Sequence, residues 1–437
     1  MDASGSKSLQ PAAPQSGALF HRAVAEELAA RYADGDRAPV SWRETQTWHW
    51  EQAGAIAEAV GSALDVAEQR VTRMDFLGGR DWAERSLTLI ERLPVDEQRG
   101  YQLRAYTLAL AVLEFGGQFR EGLEYARRML RAAQRGGSLE AEVRAYVALG
   151  RMQRELGQLS QAAATLQQAR EQAERDERDD LEAEVRLHLA KVHQLQGRHL
   201  EALQELQLAR EGQEQGDDKV RLARILTGIG DVYRVLGSSR EALTFYTRAL
   251  SMEQGRGSLL GQAILKDKLA LALVDQGKLL DALASAEESL RLRERLNDVV
   301  GQARSHSVLG TIRRRLGRHE EALETFERAR GLEELTQNPR GQCIALLHLG
   351  DACRTLRRQQ EALEHYGRAL MIARRESDQI GVARALERLG DLLREVGQHE
   401  AAALRWREAL AIRESLRHSE EAAALRARLE ARWPGER

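Results

Sequence analysis

The chain has 437 residues, of which 43% are hydrophobic and 30% charged, with a formal net charge of −2 and two cysteines. This composition is too apolar for a disordered chain, and the balanced charge gives no overall preference for nucleic acid or an anionic membrane. The sequence lacks both the roughly 18 consecutive apolar residues of a membrane span and an apolar N-terminal export signal, so we expect a cytoplasmic protein.

The N-terminal part differs in composition from the rest of the chain. Residues 1–18 are rich in Ser, Pro, Gly and Ala, and we expect a disordered leader there. Apolar residues at helical spacing in residues 19–54 predict a helical cap of two helices. Half of the six tryptophans lie in this cap: Trp42, Trp48 and Trp50. We favour a role for them in filling the end of a core, and a binding surface for another domain stays open.

Residues 55–95 contain a degenerate helical hairpin. Gly78 and Gly79 are its predicted turn, and Pro94 ends its second helix.

From about residue 98 to residue 415 one unit of 40 residues occurs eight times. A turn glycine recurs at this period: Gly117, Gly157, Gly197, Gly237, Gly277, Gly317 and Gly397. In the remaining copy Arg357 takes its place. A small residue recurs seven positions before the turn: Gly150, Ala190, Gly230, Ala270, Gly310, Gly350 and Gly390. Glycine in a helix interior costs about 1 kcal/mol against alanine, so we expect two helices to approach closely there.

The repeated unit predicts the fold class. Apolar residues at helical spacing on both sides of the turn predict two amphipathic helices per copy. Neither helix can bury its apolar face alone, so stacked copies should share one continuous core. We therefore predict an all-α protein, a right-handed α-solenoid of antiparallel helix pairs. A further helix in residues 416–437, with a charged outer face, should cap its C-terminal end.

The most regular copy carries the family resemblance. Its pattern consists of Leu309, Gly310, Leu316, Gly317, Ala322, Phe326 and Ala329. This pattern resembles the tetratricopeptide repeat, whose common period is 34 residues. The period of 40 is similar to a long-repeat subclass found in receptor-coupling adaptors and in the sensor arrays of bacterial signalling ATPases and transcription activators. Within residues 19–60, Phe20-His21-Arg22 and Trp48-His49-Trp50 resemble, more weakly, the junction that follows the ATPase and winged-helix region in those bacterial signalling proteins.

The sequence contains no recognisable catalytic or metal-binding motif. There is no phosphate loop, no nucleophile elbow and no set of Cys and His residues at metal-ligand spacing. Cys343 and Cys353 are ten residues apart on one predicted helix, about 15 Å, which is too far for a disulfide. We therefore predict a non-enzymatic protein without a cofactor or a metal.

In most copies arginine occurs at one or both of two equivalent positions in the first helix. The tetratricopeptide resemblance implies that these helices line a concave groove. The candidate groove residues are Arg144, Arg154, Arg224, Arg234, Arg304, Arg314, Arg354, Arg384 and Arg394. Guanidinium groups in a groove would bind the carboxylates of an acidic peptide. Few aromatic side chains lie among these arginines to stack on bases, which disfavours nucleic acid.

The alternative for these arginines is pairing within one helix. Carboxylates three residues earlier make the pairs possible: Asp231 with Arg234, Asp351 with Arg354, and Asp391 with Arg394. For the rows as a whole we favour a functional groove.

These observations predict an interaction scaffold or adaptor whose concave groove binds a peptide or helix of a partner protein. The alternative is a ligand- or protein-sensing regulatory array of a bacterial signalling ATPase or transcription regulator that lacks its NTPase module. The long-repeat adaptors carry Asn just before the Leu-Gly pair, and none of the copies has it. These positions hold Ala148, His188, Gly228, Lys268, Val308, His348 and Arg388. We therefore do not assign the adaptors' ligand to this chain.

Overall fold

A computed structural model of the chain describes residues 14–32, 41–73, 75–214, 218–416 and 418–430. Two compact units divide at residue 112, the first covering residues 1–112 and the second residues 113–437. Every regular element in the described residues is an α-helix, which confirms the predicted fold class.

In its described residues the first unit contains four helices and most of a fifth. These are α1 (Pro14–Arg31), α2 (Ser41–Gln52), α3 (Ile56–Thr72), α4 (Phe76–Ile90) and α5 (Val95–Phe115). Its core includes Val60, Leu64 and Ile90, none of them more than 1% exposed. Trp42 and Trp50 are buried in this unit, whereas Trp48 is 46% exposed.

Two predictions for the first unit were wrong. Residues 1–13 of the predicted leader lie outside the described residues, but α1 already begins at Pro14, so the leader does not extend to residue 18. Gly78 and Gly79 lie inside α4 and not in the turn before it. A Cβ atom on Gly79 would lie 2.8 Å from a methyl group of Val71, so this glycine allows α3 and α4 to approach closely.

The second unit is a repeat solenoid of helical hairpins. Its helices after α5 are α6 (Phe119–Gly136), α7 (Leu139–Glu155), α8 (Leu159–Arg175), α9 (Asp179–Leu195), α10 (His199–Glu214), α11 (Lys219–Val235), α12 (Ser239–Gly255), α13 (Leu259–Asp275), α14 (Leu279–Leu296), α15 (Val299–Arg315), α16 (His319–Leu335), α17 (Pro339–Thr355), α18 (Gln359–Arg375), α19 (Gln379–Glu395), α20 (His399–Ser415) and α21 (Ser419–Glu430). From α7 to α20, odd-numbered helices are the first of a hairpin and even-numbered helices the second. Each packs on its neighbours in sequence, so the apolar faces form a continuous core.

The backbone at the turns explains the recurring glycine. All seven turn glycines have positive φ, between 68° and 81°, where a side chain is strained. Arg357 adopts φ 58° at the equivalent position. The loops between hairpins contain a second residue with positive φ at the same period, which we did not predict because its type varies: Gly137, Glu177, Gly257, Asn297, Gln337 and Ser377.

We expect Arg357→Gly to stabilise the second unit by about 1 kcal/mol, because it removes the left-handed strain of a residue with a Cβ atom. Arg357 is exposed, so little packing is lost. Arg368→Gly is the matched control. It makes the same change at an exposed position inside α18 and should destabilise by about 1 kcal/mol. Thermal unfolding of both variants measures these two opposite changes in stability. A loss of stability in Arg357→Gly would contradict the strain argument.

The second recurring small residue lies where the two helices of a hairpin cross. A Cβ atom on Gly310 would lie 2.5 Å from the ring of Phe326, and one on Gly230 would lie 2.5 Å from the ring of Tyr246. The two alanines at this position face residues smaller than these rings, Leu206 for Ala190 and Ala286 for Ala270, although Gly150 also faces a leucine, Leu166, which its Cβ atom would approach to 2.7 Å. The predicted close approach is confirmed.

We expect Gly310→Ala to destabilise the second unit by about 1–3 kcal/mol, since overpacking against Phe326 outweighs the gain in helix propensity. In a Phe326→Ala background the same alanine should cost nothing, as the natural Ala270–Ala286 pair indicates. Chemical denaturation of the double-mutant cycle measures this coupling. Equal costs of the alanine in both backgrounds would contradict it.

Candidate binding surface of the second unit

The first helices of the hairpins form the inner side of the second unit. Contacts between consecutive first helices join α7 to α9, α9 to α11, α13 to α15, α15 to α17 and α17 to α19. No contact of similar extent joins one second helix to the next among the described helices. Elements are closest together on the inner side of a curved array, so the first helices line its concave surface.

The solenoid of the second unit curves until distant repeats touch. Arg340 at the start of α17 forms an ion pair with Glu155 at the end of α7. The guanidinium of Arg340 also lies 5.4 Å from the ring centre of Phe119. Arg120 hydrogen-bonds the hydroxyl of Ser377. These contacts between residues far apart in sequence turn the concave surface into the wall of a partly enclosed space.

A cavity of about 400 Å³ lies at this seam. Its lining includes Arg304, Ile344, Glu155, Glu333 and Phe119. Two carboxyl groups of the lining have pKa values displaced in opposite directions. Burial alone would raise the pKa of Glu155, but Arg154 and Arg340 lower it to about 2. Burial raises the pKa of Glu333 to about 7.

The nine candidate arginines fall into two groups. In the first row, Arg144 pairs with Glu140 at 2.7 Å within its own helix. Arg224, Arg304 and Arg384 are exposed on the concave side, and no ion pair of theirs occurs in the described part of the chain. These three are free to bind a ligand.

Four of the five arginines of the second row are held by protein groups. Arg154 donates to Glu155 through Nε at 2.9 Å, and Arg234 pairs with Asp275 at 3.2 Å. Arg354 lies 3.9 Å from Glu395. Arg394 lies 5.5 Å from the ring centre of Trp406. Arg314 is the exception, because its Nε atom is buried and has no hydrogen bond within the described part of the chain. This row therefore contributes to packing between repeats.

The predicted pairs within one helix do not form. Asp231 accepts hydrogen bonds from Lys268 at 2.7 Å and from the hydroxyl of Tyr246 at 2.7 Å. The equivalent Asp351 accepts from Arg388 at 2.9 Å and from Tyr366 at 2.7 Å. Asp391 lies 3.3 Å from Arg428. This alternative was wrong because these carboxylates point toward the next repeat, where a cation is available.

The sequence did not lead us to predict a cluster of cationic side chains on α7, α9 and α11. Burial lowers the pKa of Lys191 to about 7, helped by the charges of Arg154, Arg224, Lys268 and Arg151. Burial and the charges of Arg154 and Arg224 lower the pKa of Arg151 to about 10. Arg151 and Lys191 directly follow the small residue of the helix crossing, a position that we did not compare between copies. That comparison would have found them.

Burial makes the two cysteines unreactive. Cys343 and Cys353 are free and buried, and burial raises their pKa values to about 12 and about 11. They are therefore poor nucleophiles at neutral pH.

Within the described ranges, no three His, Cys, Asp or Glu side chains come together as metal ligands. None of the described helices is both long and apolar enough to span a membrane.

Comparisons with known proteins concern mainly the fold. The family model of the tetratricopeptide repeat matches residues 181–254, 262–332 and 341–415, which is just over half of the chain. No curated protein matches the sequence. A Rap protein complexed with Competence and Sporulation Factor is 14% identical, with 85% of this chain and 97% of that chain covered and a TM-score of 0.50. The apo form of the quorum sensor NprR from B. thuringiensis is also 14% identical, with 82% and 99% covered and a TM-score of 0.50.

Proposed function

Because the chain belongs to the tetratricopeptide repeat family, we propose that it is a non-enzymatic scaffold whose concave surface binds an acidic segment of a partner protein. The observation that carries this proposal is the set of free cations on the first helices. Arg224, Arg304 and Arg384 are separated by whole repeats and have no carboxylate partner in the described residues. An extended acidic segment is the ligand that could contact all three.

The rigid array explains how such a ligand would be bound. Packed helices hold the guanidinium groups in fixed positions, so little side-chain or backbone entropy of the scaffold is lost on binding. Guanidinium–carboxylate contacts are charge-assisted and bidentate, which favours acidic residues at defined spacing. The solved Rap structure of similar fold is a complex with Competence and Sporulation Factor, which supports a binding role for this fold.

A second candidate function is a regulatory array that senses a ligand. The self-contact of the second unit favours it, because Arg340 and Glu155 close a seam beside a cavity of about 400 Å³. A ligand that binds only the open or only the closed array would shift the balance between them. A separate effector would then read out that change.

Charge reversal tests the scaffold proposal. Peptides selected from a random display library against the native protein should be rich in Asp and Glu, and their affinity should fall with salt. The triple variant Arg224→Glu, Arg304→Glu and Arg384→Glu should bind them at least about 100-fold more weakly, because each charged hydrogen bond contributes about 1.5–3 kcal/mol. Fluorescence anisotropy with a selected peptide measures both effects.

A matched control separates the concave surface from net charge. Arg291→Glu, Arg328→Glu and Arg368→Glu make the same charge change at exposed positions of the second helices. This variant should keep the native affinity to within about threefold, apart from the long-range effect of charge. Selected peptides without acidic residues, or equal losses in the two triple variants, would contradict the proposal.

A further inference from the structure

We propose that the concave surface of α7, α9 and α11 contains a binding site for a phosphate monoester dianion carried by the bound partner segment. Arg151, Lys191 and Arg224 form the site, and the ring of His188 forms its floor. This inference rests on the proposed function and adds the chemistry of one group of the ligand.

The repeat register brings these side chains together. Helix α9 contacts both α7 and α11, so it lies between them on the inner side. On α9, His188 and Lys191 are one turn apart on the same face. The neighbouring helices contribute Arg151 and Arg224, and the charge of each acts on both Lys191 and His188. Three helices thus bring Arg151, Lys191 and Arg224 to one region of the concave surface, where Arg151 also forms an ion pair with Glu114.

The charges at this place do not balance. Five cations lie there or act on Lys191: Arg151, Arg154, Lys191, Arg224 and Lys268. Four carboxylates face them: Glu114, Glu155, Glu184 and Asp231. Glu155 is shared between Arg154 and Arg340, and Asp231 is bound by Lys268. Lys191 and Arg224 have no hydrogen bond or ion pair in the described residues.

When Lys191 is protonated, Lys191 and Arg224 are therefore two cations without a paired carboxylate in the described residues. A single carboxylate would neutralise one of them, whereas a phosphate monoester carries a charge of about −1.5 to −2 at neutral pH and three acceptor oxygens. The surplus charge favours the phosphate group over a lone Asp or Glu side chain.

His188 is a second, independent indication of a ligand. Its side chain is 2% exposed, and neither ring nitrogen has a hydrogen-bond partner among the described residues. Buried polar groups in native proteins nearly always have a partner, so an acceptor is missing here. Burial and the charges of Lys191, Arg151, Arg154 and Arg224 hold the pKa of His188 well below its usual range. An anionic oxygen would accept a hydrogen bond from a ring N–H of His188, and its negative charge would raise the pKa of this side chain.

The reactivity of Lys191 provides the assay. An amine with a pKa of about 7 is largely neutral at pH 8 and reacts with an acylating reagent faster than exposed lysines with ordinary pKa values. Lys219 and Lys278 are exposed and act as internal references. Mass spectrometry of the acylated native protein should show preferential labelling of Lys191. A bound dianion should protect Lys191 alone.

The probes are inorganic phosphate, N-acetylphosphoserine amide and N-acetylglutamate amide. We expect the phosphoserine derivative to protect Lys191 at a concentration at least tenfold lower than the glutamate derivative. Arg224→Gln should raise the protecting concentration at least tenfold, whereas Arg291→Gln on α14 should not change it. Circular dichroism confirms that both variants fold.

Equal protection by the phosphoserine and glutamate derivatives would overturn the proposal, and so would an absence of protection. Protection by inorganic phosphate but not by the phosphoserine derivative would overturn the assignment to a protein-borne ester. Binding of unphosphorylated acidic peptides at Arg304 and Arg384 could persist in each of these cases. Failure of the phosphate site is therefore distinguishable from failure of the scaffold function.

Discussion

Replacing Arg293 with methionine is expected to lower the free energy of unfolding of the second unit by about 3–5 kcal/mol, the range measured when one partner of a buried ion pair is removed. The Arg293 side chain is 4% exposed. It donates to Asp298 at 2.9 Å and to Asp267 at 3.0 Å, so it joins α13, α14 and the start of α15. Its loss would leave two carboxylates without their cation in the interior.

The surroundings of Arg293 show why the carboxylates could not easily adapt. Asp267 also accepts hydrogen bonds from Ser305 at 3.1 Å. Asp298 caps α15 by accepting the N–H of Gly301 at 2.8 Å. Both side chains are therefore fixed in place and cannot turn toward water without breaking further hydrogen bonds. Their uncompensated charge is the main cost of the substitution.

Urea unfolding and hydrogen exchange of the amides in α13 to α15 measure this effect. A repeat array can open locally, so exchange should show the loss there first. Arg295→Met, two residues away and exposed, is the control and should change stability by less than about 0.5 kcal/mol. Adding Asp267→Leu to Arg293→Met should recover part of the loss, because one orphaned charge is removed. Equal stabilities of the Arg293→Met and Arg295→Met variants would contradict the argument.

The sequence predicted features that depend on the backbone of one hairpin. Turn glycines such as Gly317 are required by a left-handed backbone, and small residues such as Gly310 by the close crossing of two helices. Both constraints act within about 20 residues, so each copy shows them at the same positions. The free thiols Cys343 and Cys353 followed from helix geometry alone.

Ion pairs and hydrogen bonds between separate repeats could not be predicted from the sequence. The partner of Asp231 could be Arg234 in the same helix or Lys268 in the next repeat, and only the packing of the repeats decides for Lys268. Glu155 and Arg340 lie many repeats apart in sequence. They meet only because the small rotations between successive repeats add up along the solenoid. Small errors in each rotation accumulate, so no local pattern predicts this contact. The sequence therefore placed the candidate arginines on the first helices but did not predict that Arg151 and Lys191 lie near them.

Replacing Glu333 with glutamine is expected to remove a loss of stability that the native protein shows as pH rises from about 4.5 to about 7. Burial raises the pKa of this carboxyl from 4.5 to about 7, against the opposing effects of Arg304 and the Asn338 amide. The amide of Asn338 donates to Glu333 at 2.8 Å. In this pH range the folded protein keeps the proton and the unfolded chain releases it. Rising pH therefore favours unfolding.

The size of the effect follows from the two pKa values. A displacement from 4.5 to about 7 corresponds to at most about 3 kcal/mol, since one pKa unit is about 1.4 kcal/mol. Glu155, in the same cavity lining, has its pKa lowered to about 2 and so affects stability only below about pH 4.5. A comparison of pH 5 with pH 8 therefore isolates Glu333 from Glu155.

Urea-unfolding midpoints at pH 5 and pH 8 measure the prediction. Glu333→Gln should be more stable than the native protein at pH 8 and close to it at pH 5. Glu334→Gln is the matched control, because Glu334 is the neighbouring residue and is exposed. It should follow the pH dependence of the native protein. If Glu333→Gln followed it as well, the carboxyl would be ionised in the folded protein at neutral pH, and Arg304 would hold it as an ion pair instead of remaining free for a ligand.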